Sequence, residues 1–515
     1  MKIVSYNLGH DGQICLIENN KLLFSHEAEK DSNPRYSANS PSDLLKTLIS
    51  INNDYDAIAI SGWAKGHDPR NTPIDGGYLG LNYNVEYNNY KTWVYCSHEL
   101  SHIVCSYALS KYADISDCYV LLLEGYIGNL YYINKNLHVE LLQNITQSPG
   151  LRYSFAFGIA DPLFNLPNGY CRLGDAGKMM ALAGLGQNSP TSNEEQEILD
   201  YLINASSPID TFCKADLANS TYYNIGPHTQ PFCDLAKKIS NNLFEHIKSK
   251  ILRHINKRVP LLISGGCGLN CDWNRKWEES GLFTDVFVPP CTNDTGVAIG
   301  AAALAQKLMT GRCGLDWSVY SGQPFSHQRE LTASSNYTSC PLQLHIICKK
   351  ILKGEIICWV QGRCEIGPRA LGNRSILASP FCKTTTHKLN KIKKRENYRP
   401  IAPICLEQDA PQHFENCETS KFMLSFYRVI NPKLQAITHS DGTARVQTVA
   451  HDDNPLLYSL LTAFKEVSGA GVLCNTSLNF SGTGFINNRS DLEKFCTDNE
   501  ILTFVIDDTM YTRMG

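Results

Sequence analysis

The sequence KIVSYNLGHDGQICLIENNKLLFS, from Lys2 to Ser25, alternates short apolar runs with tight turns. Glycine and asparagine occupy those turns, at Gly9 to Gly12 and at Asn19-Asn20, and both residue types tolerate the backbone angles of a short hairpin. The pattern predicts three antiparallel strands that follow one another in a meander. A similar arrangement recurs from Cys118 to Ile133, so the sequence predicts an internal duplication.

The segments around the two meanders alternate between strand and helix patterns. Ser40-Pro41 opens a helix with an N-cap serine and a first-turn proline, and Ala57 to Ser61 follows as a strand. Val259 to Ser264 reads as a buried strand, and the small residues that follow Asp294 predict a helix that can pack closely on a neighbour. Together these features predict an α/β fold on the plan of a duplicated actin-like ATPase.

The chain has 515 residues, which is too long for one ordinary hydrophobic core. Residues 311–340 lose periodicity and are rich in Ser, Gly and Thr, which is typical of a linker. A second α/β pattern begins beyond them. We therefore expect two domains, residues 1–320 and residues 341–515.

The composition is that of a folded, intracellular protein. Apolar residues make up 43% of the chain and charged residues 19%, and no apolar run approaches the ~18 residues that a membrane helix needs. The 20 cysteines contain no CxxC pair and lie in apolar contexts, which favours buried, reduced thiols. With no secretory signal at Met1, we expect a cytoplasmic protein that has no membrane partner.

The net charge of −3 conceals a strongly basic segment. From Gln361 to Arg399 there are ten Lys and Arg against two Glu, a local charge of +8. A cationic site in an otherwise acidic protein indicates a small polyanion bound in a pocket, and no nucleic acid partner is expected. A solvated charged face is the alternative, but glycine and proline interrupt this segment as they would not interrupt a surface helix.

The sequence SHELSH predicts a metal site. His98 and His102 lie one helical turn apart, so both imidazoles can reach one ion. Asp294, at a junction between strand, loop and helix, is the predicted third ligand, and Glu124 is a fourth ligand or holds water beside the ion. Histidines with a structural or surface role are the alternative.

Two glycine-containing stretches in the first half are candidates for binding a nucleotide. SGGCGLN, from Ser264 to Asn270, follows a strand, so the amides of Gly265 and Gly266 can receive a phosphate with Asn270 beside them. Gly177-Lys178 offers a second glycine and a cation. The alternatives are glycines that only turn the chain and a lysine that faces solvent.

The second half places cations and amides in irregular, glycine-rich segments. Guanidinium groups suit phosphate oxygens because they bind them through two parallel hydrogen bonds. Enough cations are present to neutralise two bound phosphate compounds. The candidate residues are Arg369, Arg374, Lys393, Arg395, Arg399 and Arg445, with Asn475, Ser477 and Asn479 as polar groups that orient a triphosphate or a planar carbamoyl amide.

These blocks, in this order, resemble the carbamoyltransferases that make carbamoylated antibiotics and nodulation factors. The resemblance spans nearly the whole chain. It rests above all on EIGPRALGNRSILASP from Glu365 to Pro380, HELSH from His98 to His102, and HSDGTARVQ from His439 to Gln447. In that family a duplicated actin-like domain of the Kae1-like type precedes a YrdC-like α/β domain, and the resemblance implies the same fold here.

The resemblance also implies a two-step reaction. The C-terminal domain would bind carbamoyl phosphate and ATP, with Mg(II) accompanying ATP, and form carbamoyladenylate. The N-terminal domain would hold Fe(II) through His98, His102 and Asp294 and transfer the carbamoyl group to the hydroxyl of a small molecule. His10 is the candidate general base for that hydroxyl. A turn histidine that only satisfies the local backbone is the alternative.

The departures from the family pattern fall in the first half. Glu124 stands where the family usually has aspartate, Gly184-Leu185 replaces the usual Pro-Tyr, and Asp11-Gly12-Gln13 lacks the usual small hydroxyl residues. These differences predict an unusual acceptor molecule. They leave the residues of the C-terminal domain, which would form carbamoyladenylate, unchanged.

Several other readings remain open from the sequence. The same domain types serve tRNA threonylcarbamoyl transfer, although the overall acidity argues against that substrate. A carbamoyl donor to a protein thiol would carry zinc-finger and acylphosphatase segments, which this sequence lacks. A nucleotide sensor without turnover is a third alternative, and a homodimer is one assembly that the sequence leaves open.

Overall fold

The computed structural model describes residues 1–63, 76–88, 91–204, 209–327 and 336–514. It has a mixed α/β architecture with several sheets. Contacts divide the chain into two compact units, one made of Met1–Lys111 and Pro289–Gly515 and the other of Tyr112–Val288. Positions 328–335 of the predicted linker lie outside the described residues, and the expected boundary between residues 320 and 341 stays a prediction.

The amino-terminal part of the first unit is built on a six-stranded sheet. Its elements are β1 (Lys2–Asn7), β2 (Gln13–Glu18), β3 (Lys21–Glu27), α1 (Pro41–Ser50), β4 (Ala57–Ser61), β5 (Tyr83–Asn88), β6 (Lys91–Cys96) and α2 (His98–Ala108). The strand order is β3-β2-β1-β4-β6-β5. Strands β1 to β3 form the predicted antiparallel meander, and β4 and β6 add to it in parallel.

The second unit contains a five-stranded sheet with the same plan. Its elements are β7 (Cys118–Leu123), β8 (Gly128–Ile133), β9 (Val139–Asn144), α3 (Pro149–Ala160), α4 (Asp175–Ala183), α5 (Asn193–Leu199), α6 (Gln230–Ile251), β10 (Leu261–Ser264), α7 (Cys271–Glu279) and β11 (Val286–Phe287). The order β9-β8-β7-β10-β11 repeats β3-β2-β1-β4-β6, again with a meander and two parallel strands. The recurrence in the sequence is thus a recurrence in strand order.

The small-residue helix that the sequence predicts is α8 (Val297–Thr310), which returns to the first unit. It packs so closely on α2 that a Cβ on Gly300 would lie 1.9 Å from the carbonyl oxygen of Ser101. Only glycine fits this crossing. The contact fixes α2 against the short turn Asp294–Gly296 that leads into α8.

The carboxy-terminal part of the first unit holds the largest sheet. Its elements are β12 (Tyr337–Pro341), α9 (Leu344–Leu352), β13 (Ile357–Val360), β14 (Arg374–Ala378), α10 (Lys383–Ile392), β15 (Ala402–Leu406), α11 (Ala410–His413), β16 (Phe426–Arg428), β17 (Thr443–Arg445), β18 (Gln447–Val449), α12 (Pro455–Ser468), β19 (Val472–Ser477), α13 (Arg489–Asp498), β20 (Thr503–Ile506) and β21 (Thr509–Arg513). Eight strands pair in the order β12-β21-β20-β13-β14-β19-β15-β18, while β16 and β17 form a separate hairpin.

Alternate residues of β13 face opposite sides of this sheet, as a strand with two buried faces requires. Cys358 and Val360 join one hydrophobic cluster, and Ile357 and Trp359 join the other. One detail differs from the sequence-based expectation. Strand β12 starts within the predicted linker.

Across the described ranges, no helix combines the length and the apolar character that crossing a membrane requires. The expected cytoplasmic location stays a prediction.

Candidate functional site

Helix α2 presents two buried histidines on one face. Ser97 caps the helix by accepting a hydrogen bond from the backbone N–H of Leu100, at 3.1 Å. The cap sets the first turn, so His98 and His102 point the same way, and their Nε2 atoms lie 3.2 Å apart. Two ring nitrogens that converge in a buried site can share one ion.

Asp294 completes this cluster from the turn before α8. Its Oδ1 lies 3.3 Å from His102 Nε2, and its Oδ2 lies 3.8 Å from His98 Nε2. Burial would raise the pKa of Asp294, but the neighbouring histidines bring that pKa below its usual range. Two histidines and one carboxylate are the ligand set of many non-haem Fe(II) sites, so these side chains fit such an ion.

His10 reaches the same carboxylate from the turn between β1 and β2. Its Nδ1 lies 3.2 Å from Asp11 Oδ2 and 3.5 Å from Asp294 Oδ2. The His10 side chain keeps 42% of its surface exposed, whereas His98 and His102 are buried. His10 is therefore placed to contact both the cluster and a molecule arriving from solvent.

Aromatic rings flank the histidines. Tyr78 stacks on His98 at 4.4 Å between ring centroids, and Trp63 meets His98 edge-on at 5.2 Å and His10 at 5.0 Å. A Cβ on Gly9 would lie 2.3 Å from the indole of Trp63, so glycine is required beside that ring. These rings limit the rotation of both imidazoles.

In the carboxy-terminal part, the loop between β13 and β14 folds around one buried carboxylate. Glu365 is fully buried, and its Oε1 accepts hydrogen bonds from the backbone N–H groups of Leu371 at 2.6 Å and Asn373 at 2.8 Å. A carboxylate that accepts several backbone hydrogen bonds holds a loop in one conformation. The arginine-rich segment is thus a shaped loop.

Arg374 is committed to this loop. Its guanidinium donates to Asn487 Oδ1 and to the carbonyl oxygens of Gln361, Gly362 and Asn373, at distances from 2.6 to 2.9 Å. The predicted contact of Arg374 with a bound anion stays a prediction, and it requires at least one donor to leave its present partner.

Lys393 is likewise engaged. Its ammonium donates to the carbonyl oxygens of Ser477 at 2.7 Å and Asn479 at 2.9 Å, and also to Asn479 Oδ1. Burial, together with the charge of Arg395, holds the pKa of Lys393 well below its usual range. Three of the predicted binding residues therefore contact one another in this structure.

The remaining predicted arginines are partly exposed, and the charges of two of them act on a third, Arg395. Burial, followed by the charges of Arg399 and Arg445, lowers the pKa of Arg395 to about 9. Arg369 is also partly exposed, in the loop that Glu365 organises. Such a group of cations favours a bound anion, because an anion relieves their mutual repulsion.

Asn475 lies beside this group on β19. Its Nδ2 donates to the carbonyl oxygen of Ala370 at 3.1 Å and to Gln447 Oε1 at 3.2 Å. Its Oδ1 is buried and has no hydrogen-bond partner within the residues that the structure describes. A buried acceptor without a hydrogen-bond partner costs free energy of folding, and a ligand that carries an N–H group would supply the missing bond.

The SGG stretch lies in the second unit at the end of β10. Gly265 has φ +88°, and a Cβ there would lie 2.3 Å from the carbonyl oxygen of Leu123. A Cβ on Gly266 would meet no atom within 4 Å, so the chain faces open space at that point. Asn270 caps α7, because its Oδ1 accepts from the N–H of Trp273 at 3.3 Å.

The other predicted residues of the second unit have local partners. Lys178 lies in α4 and pairs with Asp175 at 3.0 Å, while a Cβ on Gly177 would meet no atom within 4 Å. Glu124 is buried directly after β7. The nucleotide-binding role of Gly177, Lys178 and Asn270 and the metal-binding role of Glu124 stay predictions.

Comparison with known proteins shows which family the chain resembles. Residues 78–303 match the family described as Carbamoyltransferase N-terminus, and residues 348–513 match Carbamoyltransferase C-terminus. The chain is 40% identical to the 3'-hydroxymethylcephem-O-carbamoyltransferase of Amycolatopsis lactamdurans, covering 100% of this chain and 99% of that protein. It is 39% identical to the enzyme of the same name from Streptomyces clavuligerus, with 100% of both chains covered.

The chain belongs to the carbamoyltransferase family. Nodulation protein U of Rhizobium fredii is a more distant relative, 29% identical over 94% of this chain and 90% of its own length. The resemblance drawn from the sequence motifs is therefore confirmed, and this chain is a carbamoyltransferase.

The two family regions divide the candidate residues of this carbamoyltransferase. The N-terminal match includes the histidine and aspartate cluster, and the C-terminal match includes the predicted arginines. Sequence reasoning missed Glu365, Trp63 and Tyr78. An acid between two arginines, Arg363 and Arg369, was the available signal for Glu365. Nothing in the local sequence marked the two aromatic residues.

Proposed function

We propose that this carbamoyltransferase forms carbamoyladenylate from carbamoyl phosphate and ATP and then transfers the carbamoyl group to the hydroxyl of a small molecule. The proposal assigns the first step to a YrdC-like carboxy-terminal domain and the second to a duplicated, actin-like amino-terminal region of the Kae1-like type. The repeated strand order of the two smaller sheets supports the second assignment.

The group formed by Arg395, Arg399 and Arg445 is the observation that carries this proposal. Burial and the charges of Arg399 and Arg445 lower the pKa of Arg395. Holding these cations together therefore costs free energy of folding. ATP and carbamoyl phosphate supply the compensating negative charge. A bound Mg(II) would share the charge of the triphosphate.

Asn475 supports a carbamoyl ligand in particular. Its buried Oδ1 is an acceptor, and the carbamoyl group carries an NH₂ that donates. An ionised carboxylate offers no such donor. A carbamoyl group held by Asn475 would lie next to the loop that contains Arg369, since Asn475 also donates to the carbonyl oxygen of Ala370.

The activation step consumes carbamoyl phosphate, water and ATP and produces carbamoyladenylate, pyrophosphate and phosphate. The arginines would neutralise the phosphate oxygens as the α-phosphate accepts the carbamate oxygen. In the transfer step the acceptor hydroxyl attacks the carbamoyl carbon and AMP leaves. His10 would take the hydroxyl proton, since it is partly exposed and borders the metal cluster.

His98, His102 and Asp294 would hold the metal ion, with Glu124 as the predicted further ligand. A divalent ion there, proposed to be Fe(II), would supply Lewis-acid polarisation. The two cephem carbamoyltransferases support a hydroxymethyl group on a small ring system as the acceptor, since that is the substrate in their names.

The first test is pyrophosphate release by the purified protein with ATP, with and without carbamoyl phosphate. We expect release that requires both compounds. ATP binding without release would favour the nucleotide sensor instead. The acceptor is then sought by mass spectrometry, with 3'-hydroxymethylcephem as the first probe, as a mass gain of one carbamoyl group.

A further inference from the structure

A short segment after β3 lies between the two parts of the first unit. Residues 27–37 border the turn that carries His10, because the N–H of Ala28 donates to the carbonyl oxygen of Gly12 at 2.8 Å. The N–H of Gly12 in turn donates to the carbonyl oxygen of Ser37 at 2.8 Å. One side of the segment is therefore fixed to the histidine turn.

The other side of the segment contacts the carboxy-terminal part. The N–H of Ser32 donates to the carbonyl oxygen of Phe485, and the N–H of Arg35 donates to that of Gly482, both at 3.0 Å. In the reverse direction the N–H of Gly484 donates to the carbonyl oxygen of Asn33 at 2.9 Å. These contacts join residues more than 400 positions apart.

Lys30 is buried at the centre of this contact. Its side chain has 0% of its surface exposed, and Nζ lies 3.1 Å from Glu27 Oε2 and 3.7 Å from Glu29 Oε1. The ammonium also lies 3.9 Å from the centroid of the Phe485 ring. Burial by itself would lower the pKa of Lys30, but the two carboxylates raise it above its usual range, so the lysine stays charged.

Glu27 and Lys30 together hold both polar groups of one peptide residue, Gly367. The N–H of Gly367 donates to Glu27 Oε1 at 2.5 Å, and its carbonyl oxygen accepts from Lys30 Nζ at 2.8 Å. Gly367 has φ +82°, and a Cβ there would lie 2.2 Å from the carbonyl oxygen of Pro290. Its position is thus set from two sides.

Gly367 lies close to residues of both predicted sites. Arg369 follows two residues later in the same loop, and Pro290 precedes the metal-binding Asp294 by four residues. A buried ion pair contributes little net stability compared with apolar side chains of the same volume. Burial raises the pKa of Glu27 to about 7, so burying this acid costs free energy. A role in placing the Gly367 loop accounts better for an acid and a lysine that are buried together.

We propose that Glu27 and Lys30 are positioning residues that hold the Gly367 loop in the conformation that binds carbamoyl phosphate. The inference rests on the proposed function, because Asn475, which is proposed there to hold the carbamoyl group, contacts this loop at Ala370. Neither side chain needs to touch the substrate. Both act through the backbone of Gly367 on the loop that carries Arg369.

The test compares Lys30→Met with Lys30→Arg by steady-state pyrophosphate release, with carbamoyl phosphate varied at saturating ATP. Methionine fills the space but cannot donate to Gly367, whereas arginine keeps the charge and the donor. We expect Lys30→Met to raise the KM for carbamoyl phosphate about tenfold or more, since small displacements of a binding group are costly. Lys30→Arg should recover most of that loss.

Glu195 and Lys238 provide a matched control in the second unit, where they form another buried pair at 2.7 Å. The double variant Glu195→Gln/Lys238→Met should lower the melting temperature and leave the KM for carbamoyl phosphate unchanged. Should Lys30→Met fail to fold, Glu27→Gln/Lys30→Met removes both members of the closest pair, and Glu29 keeps its ion pair with Arg35 at 3.5 Å.

A wild-type KM in Lys30→Met, or in the double variant Glu27→Gln/Lys30→Met, would overturn the inference and leave the pair a purely structural role. Absence of carbamoyl-phosphate-dependent release in the wild-type protein would instead overturn the proposed function. The two failures are distinguishable, because the second appears before any variant is made.

Discussion

Side chains of the same type have different environments in this carbamoyltransferase, and the environments indicate different roles. His98 and His102 are buried with their Nε2 atoms 3.2 Å apart, an arrangement that suits the predicted role as ligands of one metal ion. His10 contacts the same Asp294 but keeps 42% of its side chain exposed. A proton acceptor needs such exposure, because the acceptor hydroxyl arrives from outside.

His439 provides a prediction about pH. Burial lowers the pKa of His439 to about 4. The charge of Asp441 opposes this shift, and the charge of Arg445 adds to it. In the unfolded chain His439 has the ordinary pKa of 6.5. Between these values the unfolded chain binds the proton and the folded chain does not, so stability falls as the pH drops below 6.5. At pH 5.5 we expect His439 to account for a loss of roughly 1 kcal/mol.

The measurement is the urea midpoint at pH 7.5 and at pH 5.5 for the wild type and for His439→Gln. The variant should lose less stability on acidification than the wild type does. His345→Gln serves as the control, because His345 is exposed on α9 and should leave the wild-type response intact. An identical decline in His439→Gln and the wild type would contradict the prediction.

Residue type and spacing were enough to select candidate binding residues. They were not enough to predict which atoms those side chains contact. Arg374 was predicted as an anion ligand because arginines suit phosphate, yet its donors contact carbonyl oxygens and Asn487. Lys393 similarly contacts the end of β19. The sequence could not reveal this, because these acceptors come from chain segments up to 113 residues away.

At the level of elements, the close contact between α2 and α8 supports the predicted metal site. Helix α2 carries both histidines, and α8 begins directly after the turn that carries Asp294. Gly300 lets the two helices meet backbone to backbone. The distance between the histidines and the carboxylate therefore depends on a residue that touches none of them.

Gly300→Ala tests this dependence. The added methyl group would lie 1.9 Å from the carbonyl oxygen of Ser101, so the helices must separate. We expect a loss of about 3 kcal/mol in unfolding free energy, typical of overpacking, together with a lower iron content after loading. Urea denaturation and elemental analysis measure the two effects.

Gly174→Ala is the control for that variant. Gly174 precedes α4, and a Cβ there would meet no atom within 4 Å. Its stability and metal content should match those of the wild type. If Gly300→Ala kept its full metal content, the helix contact would not determine the geometry of the cluster.

The elements themselves followed largely from local sequence. Both meanders, the helix that starts at Pro41 and the small-residue helix α8 were predicted from periodicity, turns and caps. The pairing of Glu27 and Lys30 with Gly367 was not, since it joins positions 337 and 340 residues apart. Local patterns carry no information on contacts of that range.

On the scale of the whole molecule, the two proposed steps use different residues of the same unit. The predicted metal ligands belong to the amino-terminal sheet region, and the predicted anion-binding arginines belong to the eight-stranded sheet region. An enzyme that prepares a reactive mixed anhydride in one place and consumes it in another must limit its loss to water. Variants that disable one step each can measure that loss.

Arg445→Ala should abolish pyrophosphate release, because it removes one cation of the anion site. His98→Ala should release pyrophosphate and form no carbamoylated acceptor, because it removes a predicted metal ligand. An equimolar mixture of the two should recover no more than about a tenth of the wild-type product rate if the intermediate is kept from solvent. Wild type diluted equally with Arg445→Ala gives the reference rate, and product is measured by mass spectrometry with 3'-hydroxymethylcephem. A mixture that reached the reference rate would mean that carbamoyladenylate diffuses freely between molecules.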